Sequence, residues 1–416
     1  MHVLYVCLSY LFHIFSKFYL NIRILKNKED PLRYKEKLGF YTIKNDKPVI
    51  WFHASSLGEI KSIIPIILHY ESKIDDRILV TTTTLSSAKY CSDIFKNKSN
   101  IIHQFFPFDT PIVIERFLKH WKPKISVITE SELWPNMIFK TKKISKLILL
   151  NARLSKKSFF KWKIIKSFAK KIFSQFDSIV SQSRETKSFI EFFNIHNIHF
   201  FGNLKFASPN DKSTKNIFNF EKKVNFSWIA MSTHSGEEEF VINTIKKLKK
   251  EKISSQCILI PRHINRIDKI TYLIKSNNLT YQLKSTDPIP LEDKDIYILN
   301  SYGDTKEVFE KINLVFLGGS IIAHGGQNPL EPAREGCFVF HGPYIYNFTE
   351  IYDFLTDNGI SSLVTSEQSL AEQLISKFTN QADNEKFKET IQKYSQKILL
   401  DHINYLNSFI SKNEHK

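Results

Sequence analysis

The chain has 416 residues, 42% of them hydrophobic and 24% charged, which excludes a disordered chain and leaves room for two domains of ordinary size. A formal net charge of +17 points to an anionic partner, either a phosphorylated substrate or an anionic membrane surface. Nucleic acid is not expected, because the lysines are scattered and no Arg-rich block, aromatic-and-basic pattern or zinc-finger spacing is present.

Residues 3 to 16, VLYVCLSYLFHIFS, carry no Asp, Glu, Lys or Arg, and the apolar character resumes after Lys17. A spanning helix needs about 20 apolar residues, so the segment is of marginal length. It lacks the basic start and small-residue cleavage site of a removable signal. Lys17, Arg23, Lys26 and Lys28 follow it, which by the positive-inside rule keeps the body in the cytoplasm. Residues 1–28 are therefore predicted to be a membrane anchor or interfacial helix; the alternative is a buried amphipathic helix of the first domain.

From about residue 48 onward, short apolar runs alternate with amphipathic ones. PVIWFHA, DRILVTTTT, PKISVITE, KLILLNARL, SIVSQS and HFFGNL read as strands, separated by stretches such as 60–73 and 159–173. Strands spaced by helices predict βαβ units and a parallel sheet, here over 29–206. The polar stretch 207–225 reads as a linker. The pattern then restarts over 226–382, with strands in FSWIAMST, QCILIPRH, DIYILNSYG, NLVFLGGS and CFVFHGP. Residues 383–416 read as helix without a strand. Cys7, Cys91, Cys257 and Cys337 form no CxxC pair and are predicted to be free thiols, not a metal site. Two Rossmann-like halves facing a cleft suit a GT-B glycosyltransferase, an epimerase or a two-lobed binding protein.

Candidate chemistry sits where strands hand over to helices, since ligands of open α/β sheets bind at the carboxyl ends of strands. Glu59, in WFHASSLGE, is either a helix-start residue favoured by the dipole or a catalytic base. Glu130 and Glu132, in TESELWPN, end another strand; the plain alternative is a solvated edge strand. Lys205 lies just before the linker. In the second half, STHSGEEE offers backbone N–H groups and hydroxyls to a phosphate, or simply a capping box of Ser235 and Glu238. Arg262, His263 and Arg266 gather at the end of QCILI, and Arg suits phosphate. In GGSIIAHGGQNPLEPAREG, glycines allow close backbone approach. Asn328 is placed to cap the helix that Pro329 opens, and Glu331 in its first turn suits the hydroxyls of a ribose.

Together these segments resemble one family. WFHASSLGE, TTTT with Ser-Ala-Lys, FPFD, TESELWPN, NARLS, GNLKF, STHSGEEE, PRH, GDT and GGS…GGQNPLEPA fall in the order found in 3-deoxy-D-manno-octulosonic acid (Kdo) transferases of lipopolysaccharide assembly. The resemblance implies a GT-B fold and transfer of Kdo from CMP-Kdo to the lipid A precursor at the cytoplasmic face of the inner membrane, without metal or other cofactor. It implies Glu59 as general base, kept ionised by the helix N-terminus, with Glu130 and Lys205 assisting. CMP contacts carry over to Pro261 and Arg262, to Lys306, Glu307 and Val308, and to Asn328, Pro329, Leu330 and Glu331. The family commonly has His where this chain has Gln327, and Met-Gly-Glu after GDT where this chain has Lys306-Glu307-Val308.

Overall fold

The computed structural model describes residues 1–209, 226–287, 291, 293–301, 305–380 and 383–410. From residue 210 the predicted linker lies outside the described residues, as do Gly303 and Asp304 of the GDT segment and residues 381–382 and 411–416 of the predicted C-terminal boundaries. The chain divides into two units, Met1–Pro209 with Ser395–Lys416, and Asn210–Tyr394.

The first unit carries a sheet of seven strands: β1 (Val49–His53), β2 (Arg77–Thr82), β3 (Ile101–Phe105), β4 (Pro123–Thr129), β5 (Lys146–Ala152), β6 (Ser178–Ser181) and β7 (Ile198–Phe200). Their order is β3-β2-β1-β4-β5-β6-β7, and every pairing is parallel. The second unit carries β8 (Ser227–Thr233), β9 (Gln256–Pro261), β10 (Tyr281–Leu283), β11 (Ile296–Ile298), β12 (Leu314–Leu317), β13 (Phe338–His341) and β14 (Ser361–Leu363). Here the order is β10-β11-β9-β8-β12-β13-β14, again all parallel. The expected α/β class with two Rossmann-like sheets is borne out.

The central strands are continuous apolar runs because helices cover both faces of each sheet. All five residues of β1 are buried. Helix Pro111–Trp121 shows how one cover forms: Thr110 caps it, Pro111 opens it, and Val113, Ile114, Phe117, Leu118 and Trp121 turn inward at helical spacing. Trp51 packs against Phe117 in the core beneath, with ring centroids 4.7 Å apart. Three strands escape the sequence pattern. β3 is interrupted by His103 and Gln104, and β10 and β14 have three residues each, below the length at which alternation is legible.

Helix Asn384–Ile410 closes the described chain. Its last turns join the first unit, where Tyr405 Oη meets Ser178 Oγ at 2.7 Å and Asn407 Oδ1 accepts from Tyr70 Oη at 2.9 Å.

In each sheet the first strand in sequence lies between neighbours that leave in opposite directions, β1 between β2 and β4, and β8 between β9 and β12. The chain must diverge above these strands, and that divergence opens a crevice at their carboxyl ends. β4 is thus an interior strand, and the reading of Glu130 and Glu132 as a solvated sheet edge fails.

Candidate active site

At the end of β1, Ser56 caps helix Leu57–Glu71 and Glu59 occupies its first turn. The Glu59 carboxylate accepts from the Ser55 N–H at 2.8 Å and from the Ser56 hydroxyl at 2.9 Å. Glu59 is therefore a capping residue as well as a candidate base. The expectation that the helix start lowers its pKa does not hold. Burial, and then the charge of Glu130, raise the Glu59 carboxyl above the ordinary range, and the two cap hydrogen bonds offset only part of this.

Glu130 follows β4 in a left-handed backbone conformation, φ 52°, which few residues other than glycine adopt. The turn is held from β5: the Glu130 N–H donates to Leu150 O, and Glu130 O accepts from the Arg153 N–H. The buried Glu130 carboxylate lies 3.1 Å from Lys205 Nζ. Lys205 sits in the short turn Leu204–Ala207, which is fixed to β5 where Asn151 Oδ1 accepts the Leu204 N–H at 3.0 Å. Asn151, itself at φ 53°, thus positions Lys205. Glu59, Glu130 and Lys205 converge from loops after β1, β4 and β7. Such strained, coupled polar groups concentrate at functional sites.

Glu132 also reaches this crevice. Burial pushes its carboxyl up, but His53, then hydrogen bonds from Trp134 and Ser55, outweigh it and leave it below the ordinary value. The His53 ring is fully buried, its Nδ1 2.9 Å from Thr81 Oγ1 and its Nε2 3.5 Å from Glu132 Oε2. It stacks on Phe106 at 3.9 Å.

The crevice beside β8 is built differently. Gly236, at φ 95°, begins helix Glu237–Lys250 without a side-chain cap, so the expected capping box of Ser235 and Glu238 is absent. Glu237 takes that place. Fully buried, it accepts the His234 and Gly319 N–H groups on Oε2 and those of Ser320 and Ile321 on Oε1. This ties the loop after β8 to the glycine loop after β12. Gly318 is required there: a Cβ would stand 2.8 Å from Glu237 Oε2 and Ser232 O. Glu238 instead binds Arg266 through two hydrogen bonds of 2.8 Å, which commits that guanidinium to the scaffold. Arg262 and His263 remain exposed after β9. The His234 ring lies 4.2 Å from His324 and 6.0 Å from His263, so loops after β8, β9 and β12 converge. Burial, and then His324, lower the His234 pKa against the opposing pull of Glu237.

Helix Leu330–Arg334 begins one residue later than expected, with Pro329 at its cap. Asn328 still serves its start, accepting the Leu330 N–H at 3.2 Å. Glu331 is exposed and accepts from Thr305 Oγ1 at 2.7 Å, which joins it to the helix Thr305–Lys311. Lys306 is half-buried, but Val308 is core, 1% exposed, and Pro329 and Leu330 are buried too; these offer a ligand backbone at most. Among the described residues, no group of three or more His, Cys, Asp or Glu is placed to hold a metal ion.

Residues 32–208 match the family model "3-Deoxy-D-manno-octulosonic-acid transferase (kdotransferase)". The 3-deoxy-D-manno-octulosonic acid transferase of Rickettsia bellii is 33% identical, over 98% of this chain and 99% of its own length. That of Haemophilus influenzae is 28% identical, over 82% and 81%. The chain belongs to the Kdo transferase family. It is a glycosyltransferase, a Kdo transferase of lipopolysaccharide biosynthesis. Its fold is of the GT-B type: a UDP-GlcNAc 2-epimerase from Neisseria meningitidis superposes with a TM-score of 0.56 at 11% identity, covering 88% of this chain and 100% of that one.

Sequence reasoning overlooked several residues of this Kdo transferase site. Glu237 lies in STHSGEEE, where nothing local separates it from Glu238 and Glu239. Asn151 and His53 act through partners distant in sequence. For these two the available signal was a polar side chain inside an apolar strand run.

Proposed function

We propose that this Kdo transferase moves Kdo from CMP-Kdo to the lipid A precursor (lipid IVA), with Glu59 as general base. The convergence of Glu59, Glu130 and Lys205 beside β1 carries the reading. Glu59 takes the proton of an acceptor hydroxyl as that oxygen attacks the anomeric carbon of Kdo, and CMP departs. A carboxyl raised by burial and a neighbouring charge is a better base than an exposed one. Glu130 steadies positive character developing on the sugar, and Lys205 balances the Glu130 charge in its buried setting.

The CMP moiety belongs to the second unit. Arg262 and the backbone around Pro261 meet the phosphate, and Asn328 and Glu331 meet the ribose. The loop N–H groups ordered by Glu237 add donors nearby. Residues 1–28 serve as membrane anchor or interfacial helix, 29–206 as acceptor domain and 226–382 as donor domain, at the cytoplasmic face of the inner membrane. The +17 charge suits an anionic sugar nucleotide and a phosphorylated lipid.

The test is incubation of the purified protein with CMP-Kdo generated in situ and lipid IVA, with the lipid product read by mass. A product heavier by whole Kdo units, lost in Glu59→Ala while CMP still binds, is expected. An unshifted lipid with CMP bound, or full activity in Glu59→Ala, overturns the reading.

A further inference from the structure

The helix His2–Leu25, here called α1, is long and apolar enough to cross a membrane by length and composition. Its packing argues for a different placement. Leu4, Leu8, Leu11, Phe15, Phe18, Ile22 and Leu25 recur every three or four residues, forming one stripe, and all are 36% to 83% exposed. The opposite stripe faces the protein and, apart from the buried Leu20, is polar. Tyr5 Oη donates to Asp109 at 2.7 Å, Ser9 Oγ accepts from Asn136 at 3.0 Å, and His13 meets Thr110 at 3.3 Å. Arg23 pairs with Glu29 at 2.7 Å. Soluble helices bury the apolar stripe and expose the polar one; α1 does the reverse.

These contacts run from the first turn to the last, starting with His2 against Phe139 at 4.4 Å. The body therefore flanks α1 along its whole length of about 36 Å. If α1 crossed the hydrocarbon, Asp109, Arg116 beside His13, and Lys171 beside His2 would enter with it. Charges in that position are strongly disfavoured.

The surface continues from α1. Lys171 stacks over the Phe139 ring that His2 touches. Helix Lys156–Ile164 turns Phe159 and Trp162 toward the core and leaves Phe160 and Ile164 exposed, with Lys157 and Lys161 exposed beside them. From Leu133 to Phe176 there are eleven lysines and Arg153 but no Asp or Glu.

We propose that α1 lies flat in the surface of an anionic bilayer, its leucine and phenylalanine stripe among the acyl chains, and that the Lys156–Lys171 face completes the contact through lipid phosphates. A second copy of the chain is a poorer occupant, because pairing through this face would bring like charges together. The inference extends the membrane placement proposed above but does not depend on the transfer reaction.

The experiment uses the full chain with vesicles of phosphatidylethanolamine and phosphatidylglycerol. In a Cys7→Ser background, spin labels at Leu4→Cys, Leu11→Cys, Phe18→Cys and Leu25→Cys should report one shallow depth. A gradient deepening at Leu11 and Phe18 and returning at Leu25 means a spanning helix and overturns the proposal. The triple variant Leu11→Glu, Phe15→Glu, Phe18→Glu should bind vesicles roughly tenfold or more weakly. Lys157→Glu and Lys161→Glu should each cost roughly fivefold, more at low salt. All these positions are exposed, so unfolding midpoints and transfer to detergent-dispersed acceptor should persist. Undiminished vesicle binding by the triple variant sinks the proposal. So does a stripe variant that changes the sedimenting mass in the absence of lipid. Failure of transfer in every variant and the parent would count against the proposed reaction and leave the vesicle result intact.

Discussion

Beside β1 the carboxylates of Glu59, Glu130 and Glu132 crowd one another, whereas beside β8 the buried Glu237 faces backbone N–H groups. The difference lies in how the lone pairs are used. Each oxygen of Glu237 accepts two N–H groups, which fills its acceptor capacity. Each oxygen of Glu59 accepts one hydrogen bond and keeps room for a proton or a substrate hydroxyl. Two carboxylates in the first turn of a helix, each following the first strand of its sheet, thus do different work: one orders a loop, and the other is left able to react.

The sharpest way to break this contrast is to remove both charges without removing the shapes. Glu59→Gln keeps an acceptor for the Ser55 N–H, so stability should change little, while kcat falls by about two to four orders of magnitude with CMP affinity unchanged. Steady-state kinetics beside CMP titration calorimetry checks this, and parallel losses in both would demote Glu59 to a cap. Glu237→Gln should behave in the opposite way. It puts an amide against four N–H donors and should cost on the order of 3 kcal/mol of stability in the second unit, with CMP affinity lost alongside. Urea unfolding is the measurement, and an unaltered midpoint would deny Glu237 its scaffold role.

The same contrast extends to the arginines after β9. Arg262→Ala should weaken CMP binding about tenfold and leave stability nearly unaltered. Arg266→Ala strands the buried Glu238 and should cost about 1 to 2 kcal/mol, the partial exposure of Arg266 limiting the loss, with CMP affinity nearly unaltered. If the two exchange phenotypes, the division between ligand and scaffold cations is wrong.

The smallest effect is in the pH profile. Glu59 must be ionised to accept a proton, so activity falls as pH drops through its raised value, and the acid limb lies above the ordinary 4.5. Glu130→Gln removes the neighbouring charge, so the acid limb of kcat/KM should move to lower pH whatever happens to the plateau. A limb that stays in place would show that burial alone sets it.

Most of the strand and helix pattern was legible because two-sided burial writes apolar runs into the chain, as in Val49–His53 and Leu314–Leu317. The strands that were missed are short or polar, like Tyr281–Leu283, and exist through their sheet neighbours. In the site, Glu59 and Glu130 stood out because carboxylates at strand ends are chemically unusual. Arg266 looked like a phosphate ligand because no local feature announces its pairing with Glu238, 28 residues away.

The sequence by itself determined the α/β class, the two sheets, the family and the residue types at the ends of β1, β4, β8, β9 and β12. These follow from local periodicity and from motifs read along the chain. Only the tertiary structure decided that Glu59 is raised and not lowered, that Glu237 is the organising carboxylate, and that α1 turns its apolar side outward. Each depends on what a distant part of the chain brings near: the charge of Glu130, the N–H groups of Gly319 to Ile321, and the polar surface offered by Asp109 and Asn136. Burial and pairing are properties of that environment, and a one-dimensional pattern does not contain them.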